Sequence, residues 1–170
     1  MAEQILVLMA DWDDDTQKIL SGWYDDLKLA GFTGKQTPGL PHHISMSTYT
    51  LDKEAEAVEL MRKAASEFAP FEVSISHIGM FAGGSILFAA PDRNPDLERL
   101  HDACDLGIVQ EYQWTPHTTI LIDEPDVVHS ALPVVVRSFR PLTGKITKLH
   151  LCAFWPTREI ASVELSGGKP

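Results

Sequence analysis

The alternation of apolar and polar residues divides the chain into elements before any chemistry is considered. Gln4 to Ala10 is a continuous apolar run, the mark of a strand buried on both faces. Asp11, Asp13, Asp14 and Asp15 follow. Then Ile19, Leu20, Trp23, Leu27 and Ala30 recur at helical spacing up to Gly31, where a C-cap is expected. The acidic cluster reads as the N-cap of this helix and a complement to its dipole. An aspartyl-phosphate nucleophile would want a threonine where Asp15 stands. Phe32 to Leu40 is a loop rich in Gly and Pro, and it leads into a short alternating strand from His43.

From Asp52 the pattern turns helical, with Ala57, Met61, Ala64 and Phe68 on one face. Phe71 to Gly79 alternates as a strand, and Gly83-Gly84 makes a hairpin turn into Ser85 to Ala90. Asn94-Pro95 is a cap and first-turn pair for a helix carrying Leu97, Leu100 and Cys104. A second histidine strand follows, then a helix over Pro125 to Arg137 in which Pro133 predicts a kink or a split. Lys145 to Trp155 and Glu159 to Leu165 complete the chain as two strands joined at Pro156-Thr157-Arg158.

Two stretches nearly repeat each other. His43-Ile44-Ser45-Met46 and His117-Thr118-Thr119-Ile120 each place a hydroxyl two residues after a histidine and an apolar residue after that. On a strand, His43, Ser45 and Ser47 share one face, with Ile44 and Met46 on the other. His117 and Thr119 share a face in the second copy, with Thr118, Ile120 and Ile122 behind. Each copy thus sets an imidazole and a hydroxyl about 7 Å apart along the strand. The spacing of 74 between His43 and His117 also carries Ser45 to Thr119, Ile75 to Leu149, Phe81 to Trp155 and Ile86 to Ile160. This predicts an internal duplication within a single domain over residues 1–170. The fold class is α+β: two lobes related by a pseudo-twofold, with two mostly antiparallel sheets flanking a central cleft and helices outside.

Composition narrows the function. A net charge of −10, from 24 acidic and 14 basic residues, argues against a long electrostatic grip on a nucleic-acid backbone. It leaves room for a single phosphodiester held at one spot. The two cysteines, Cys104 and Cys152, have no metal spacing and are too few for a disulfide scaffold, which fits a cytoplasmic protein. The run Ile5 to Ala10 is too short for a membrane span and lacks a basic lead-in, so no membrane partner is expected. No His-Glu-x-x-His or Cys-x-x-Cys spacing marks a metal site, and no cofactor is called for.

Two histidines flanking one substrate divide acid and base work at neutral pH. The hydroxyls of Ser45 and Thr119 are donors suited to phosphoryl oxygens, whose charge grows in an in-line displacement. Phosphodiester cleavage or cyclic-phosphate opening uses all four groups at once. The paired motifs resemble those of the two-histidine (2H) phosphoesterase superfamily, which includes the RNA ligase T-like 2′-5′ RNA ligases and the cyclic phosphodiesterases. The resemblance spans the whole chain. It implies a bilobal fold with a central cleft, His43 and His117 as acid and base, and Ser45 and Thr119 as phosphate ligands. Ser47 and Tyr49 depart from it by prolonging a polar face.

The expected function is a metal-independent phosphodiesterase or cyclic phosphodiesterase acting on a small nucleotide or an RNA end. A 2′-5′ RNA ligase and a non-catalytic nucleotide-binding module are the alternatives. Phe81 and Trp155, at the ends of hairpin strands, are candidates for base contacts or for lobe cores; Tyr49 and Arg158 are further rim candidates, and Lys35 lies in a loop that offers a cation. The remaining histidines, His42, His77 and His150 on strands and His101 and His129 on helices, read as structural or surface residues. A monomer is expected.

Overall fold

In the computed structural model, which describes residues 4–107 and 113–168, the periodicity translates into elements with few surprises. Strand β1 is Ile5–Trp12, helix α1 Asp14–Leu29, β2 His43–Tyr49 and α2 Glu54–Glu67. Then come β3 Phe71–Met80, β4 Ile86–Pro91, α3 Pro95–Ala103 and β5 Thr118–Ile122. Helix α4 Pro125–Ser138, β6 Leu142–Phe154 and β7 Arg158–Glu164 complete the order. Helix α1 starts where Asp13 accepts the Thr16 amide at 3.3 Å, and α3 where Asn94 accepts the amides of Asp96 and Leu97. Helix α4 runs through Pro133 as one helix. Pro133 and His129, the residue whose carbonyl loses its donor, are both exposed.

All pairings are antiparallel, in the order β2-β1-β6-β3-β4-β5, with β7 added to β6. The α+β class and the antiparallel pairing are as expected. The two expected sheets are joined into one because β6, 13 residues long, pairs with β3 through its first half and with β1 and β7 through its second.

The register repeats about the β3–β6 pair, and it corrects the single spacing of 74. Met9 lies opposite Ser45 as Phe88 lies opposite Thr119. His150 lies opposite Met9 as Gly79 lies opposite Phe88. The spacing of 74 therefore holds for the histidine strands alone. It is 79 from β1 to β4 and 71 from β3 to β6, because the connecting loops differ in length. Phe81 corresponds to Cys152 rather than to Trp155, and the repeating unit is strand-helix-strand-helix-strand.

The sheet has two unlike faces. Leu6, Leu8, Ala10, Ile44, Leu149 and Leu151 join Leu20, Trp23 and Leu27 of α1 and Ala57, Met61 and Ala64 of α2 in the main core. Met9, Cys152 and Phe154 form a smaller cluster on the opposite face, with Ile5, Val7 and Leu40 against it. The two ends of the sheet come together at Trp12, a residue of the main core. Trp12 Nε1 donates to Thr118 Oγ1 at 2.8 Å, and Thr118 Oγ1 donates to the His43 carbonyl at 3.1 Å. No helix among the described residues is long and apolar enough to cross a membrane.

Gly144 tests how tightly this junction is built. A Cβ there would stand 2.6 Å from Thr16 Oγ1 and 2.9 Å from Trp12 Cε3. Gly144→Ala should therefore cost about 1–3 kcal/mol through overpacking and lower the thermal midpoint by several degrees. A melt of the variant unchanged from wild type would show that Trp12 has room to move.

Candidate active site

Both histidine strands carry the same irregularity at the same place. In β2 the register jumps from Ser45 opposite Met9 to Ser47 opposite Leu8, so Met46 is an extra residue. In β5 it jumps from Thr119 opposite Phe88 to Leu121 opposite Leu87, which makes Ile120 the extra residue. A bulge of this kind breaks the alternation of faces. Met46 and Ser47 are both buried, as are Ile120 and Leu121, while Ser45 and Thr119 stay partly open. The continued polar face expected through Ser47 and Tyr49 is thus corrected. Past the bulge Tyr49 turns into the core, 2% exposed, with its hydroxyl on the Cys104 carbonyl. A rim role for Tyr49 falls with it. Burial, with Cys104 second, pushes its phenol well above the ordinary value. Ile122 turns the other way and lines the cleft.

The carbonyls beside each bulge are held from the side. Trp114 Nε1 donates to the Ser45 carbonyl at 2.9 Å, and the Tyr24 hydroxyl to the Thr119 carbonyl at 2.9 Å. His101 Nδ1 meets the Met46 carbonyl at 2.7 Å while its ring stacks parallel on Trp114, centroids 3.9 Å apart. His101, expected at the surface, is therefore part of the support for β2.

His43 and His117 are held alike. His43 Nδ1 lies 2.7 Å from the Pro41 carbonyl and His117 Nδ1 2.8 Å from the Thr115 carbonyl. A carbonyl only accepts, so Nδ1 carries a proton in each ring and Nε2 is the atom left for chemistry. Both rings are half-buried. Desolvation holds His117 below the ordinary imidazole value. It does the same for His43, opposed by the Pro41 carbonyl and Asp11 and assisted by the positive fields of His150 and His117.

The two histidines and both hydroxyls line one cavity of about 560 Å³, between Tyr24 and Lys28 of α1 and Phe154 and Trp155. A second hollow of about 700 Å³ opens beside it, sharing Ser45 and His117 and walled by Phe81, Met46 and Trp114. Among the described residues neither the Ser45 nor the Thr119 hydroxyl has a protein partner. Phe81 touches His117 edge-on at 4.8 Å and Phe88 at 4.6 Å. Trp155 is 54% exposed at the cavity mouth, its Nε1 3.4 Å from Thr37 Oγ1. Arg158 is not among the cleft-lining residues; it forms an ion pair with Glu54 of α2 at 2.7 Å. Lys35 is paired with Asp123 and Glu124 at 3.4 and 2.6 Å.

Residues 17–154, most of the chain, match the family model described as the 2′-5′ RNA ligase superfamily. The chain belongs to this superfamily. Its fold is similar to that of Escherichia coli LigT, solved with 3′-AMP, at 16% identity over 97% of this chain and 99% of that one, with a TM-score of 0.66. It is also similar to TT0787 of Thermus thermophilus, at 14% identity over 97% and 100%, TM-score 0.67. Kluyveromyces marxianus Usb1 follows at 13% identity over 96% and 98%, TM-score 0.50. Comparison with curated protein sequences gives no significant match. At these identities the likeness is one of fold; the superfamily rests on the match over residues 17–154.

Within that 2′-5′ RNA ligase superfamily fold, Asp11 and His150 are residues whose setting sequence reasoning missed. Asp11 is directly opposite His43 in the β1–β2 ladder, and His150 lies one strand further on. They are 2% and 5% exposed. His150 Nδ1 stands 3.6 Å from Asp11 Oδ2, an ion-pair distance beyond hydrogen-bond length, while its Nε2 is 3.2 Å from Cys152 Sγ. Asp11, with Cys152 second, pushes the His150 imidazole up to about 10. The signal was an acid on the same parity as Ile5, Val7 and Met9, but only the ladder shows that it meets His43.

His42, one residue before His43, points to α1, with Nε2 3.1 Å from Ser21 Oγ and its ring edge-on to Tyr24. Burial, with His43 second, pulls it down to about 4.

His150 gains its partner on folding, so its folded value lies above the unfolded value of about 6.5. The stability this pair gives is fully present below about pH 6.5 and is lost as pH rises toward about 10. A thermal midpoint followed from pH 6 to 10 should fall across that window, and Asp11→Asn should flatten the fall. Equal slopes in both proteins would show that the pair does not titrate.

Proposed function

We propose that the chain is a metal-independent phosphodiesterase for small nucleotide or RNA-end phosphodiesters, 2′,3′-cyclic or 2′-5′ linked. The observation that carries this reading is the matched pair of Nδ1–carbonyl bonds, which leaves two Nε2 atoms for one cleft that also holds two unpartnered hydroxyls. The neutral imidazole takes a proton from the attacking water as its oxygen bonds to phosphorus. The imidazolium gives its Nε2 proton to the ribose oxygen as the P–O bond breaks. Ser45 and Thr119 donate to the non-bridging oxygens, where charge accumulates. With the hydroxyl of a second RNA end in place of water, the neutral imidazole takes that hydroxyl's proton as its oxygen bonds to the phosphorus of a cyclic phosphate, and the imidazolium protonates the ribose oxygen that leaves. This joins two ends, and the family's description favours this ligase direction as the second reading. The two imidazoles supply both proton transfers, so EDTA should leave the rate unchanged.

His43→Ala and His117→Ala should each lower turnover of a 2′,3′-cyclic nucleotide by about 10²- to 10⁴-fold with the far-UV spectrum intact. Full activity in either variant would end the two-histidine mechanism. A loss of affinity alone, with no wild-type turnover of cyclic or 2′-5′ linked substrates, would favour a binding module.

Burial holds both imidazoles low, so at pH 7 the free protein is mostly in the form with neither ring charged. The one-proton form becomes abundant as pH falls. The optimum of kcat/KM should lie on the acid side of about 6.5, and that of kcat higher, because a bound phosphodiester favours the charged ring. A kcat/KM that climbs steadily to pH 9 would contradict a protonated acid.

Substrate size follows from charge. Lys35 is committed to two carboxylates, and the described cleft residues include Lys28 but no basic stripe. Affinity for a mononucleotide and for an RNA of about 20 nucleotides should show equally shallow salt slopes, near one or two phosphates. A slope of about six phosphates with strong preference for the longer RNA would point to an RNA-processing role.

A further inference from the structure

The two histidines are equivalent in the fold and unequal in their surroundings. Register correspondence makes the comparison residue by residue. Asp11, opposite His43, corresponds to Ala90, one residue beyond the Ala89–Thr118 pair. His150 corresponds to Gly79, and Cys152 to Phe81. One imidazole is thus backed by a carboxylate and a second imidazole, and the other by an alanine, a glycine and the rings of Phe81 and Phe88. We infer that Asp11 is a positioning residue that makes His43 the general acid and leaves His117 as the general base, with His150 moderating its charge.

The strand order β2-β1-β6 sets the Asp11 carboxylate between the two imidazoles, with strands spaced about 4.8 Å apart. The Asp11–His150 pair is neutral as a whole, but its negative end is one strand nearer His43. Asp11 Oδ1 is buried and has no hydrogen-bond partner, so that side of the carboxylate is uncompensated. At 2% exposure little water screens it.

The other charged or titratable groups about His43 do not cancel this field. Lys148, opposite Asp11 on β6, is partly exposed, with its ammonium 3.9 Å from Glu164 of β7. Glu159 of β7 lines the hollow behind Asp11 and adds negative charge. Cys152 is engaged with His150, and His42 is a neutral ring on Ser21. His117 is the competitor for the proton, and aromatic rings offer its charged form far less than a carboxylate does.

The assignment of acid and base rests on the proposed reaction; the placement of the proton does not. A site-resolved NMR titration without substrate therefore decides it. In the wild-type protein His43 should take its proton at higher pH than His117. Asp11→Asn should lower the His43 midpoint by about one pH unit and leave His117 in place. His150→Gln, which removes the cation sharing the Asp11 charge and keeps a donor for it, should move His43 the opposite way. In turnover, the alkaline limb of kcat/KM should follow His43 down in the first variant and up in the second, with the acid limb fixed. His117 titrating at or above His43, or both variants shifting His43 in one direction, would overturn the inference. If Asp11→Asn does not fold, the wild-type order and the His150→Gln shift still decide. Absence of turnover with the NMR order intact would end the phosphodiesterase reading and leave the Asp11 effect standing.

Discussion

One buried hydroxyl keeps the two histidine strands together and apart. β2 and β5 are the end strands of the sheet path, each with one edge unpaired among the described strands. Two such edges brought close would normally zip into a ladder, and a ladder here would close the cleft. Thr118, 1% exposed, takes the place of the ladder. It accepts from the Trp12 indole and donates to the His43 carbonyl, so a side chain spans the gap that backbone bonds would have closed. Thr118 is the residue after one histidine, and the carbonyl it holds belongs to the other. The separation of the two rings is thereby fixed at its source.

The bulges complete that geometry. Without the extra residue at Met46 and Ile120, alternation would bring Ser47 in one strand and Leu121 in the other onto the histidine face. With it, the strand offers one histidine and one hydroxyl to the cleft and returns its next residues to the core. The cost of a bulge is an interrupted ladder. Trp114 and His101 on one side and Tyr24 on the other hold the carbonyls beside it. A stacked imidazole–indole pair in one half and a phenol in the other do the same work, so the scaffold repeats in backbone terms without repeating in side chains.

This explains what was legible in the sequence. Strands, helices and the two motifs could be read because each depends on local periodicity and on residues two apart. The duplication was visible through the motifs, but its extent was misjudged, since loop lengths shift the spacing from 74 to 79 and 71. Tyr49 was misplaced for the same kind of reason. An alternation rule has no means of registering an extra residue whose only evidence is the partner strand. Asp11 and His150 were overlooked because their meaning is cross-strand: 32 residues separate Asp11 from His43 and 107 separate His43 from His150. Read along the chain, Asp11 was part of a capping cluster, a role that Asp13 fills by itself.

The second half of the molecule also serves as a control for the first. A buried carboxylate and imidazole 3.6 Å apart, each with an atom lacking a hydrogen bond, carry a desolvation cost that their attraction has to offset. Were the pair needed to build the sheet, the corresponding positions would need something similar. They hold Ala90 and Gly79, and the same register forms around them. The backbone therefore requires neither charge. Gly79 is small because the Phe88 ring fills its space, with a Cβ there meeting two ring carbons at 2.8 Å. In that half the space beside the histidine is taken by an aromatic wall; in the other it is taken by an ion pair. A symmetric scaffold can bring two like imidazoles to one phosphate, but it cannot tell them apart, and acid–base catalysis requires that they differ. The difference has to come from residues that break the symmetry, and the largest charge difference among the described neighbours of the two rings is the one at Asp11.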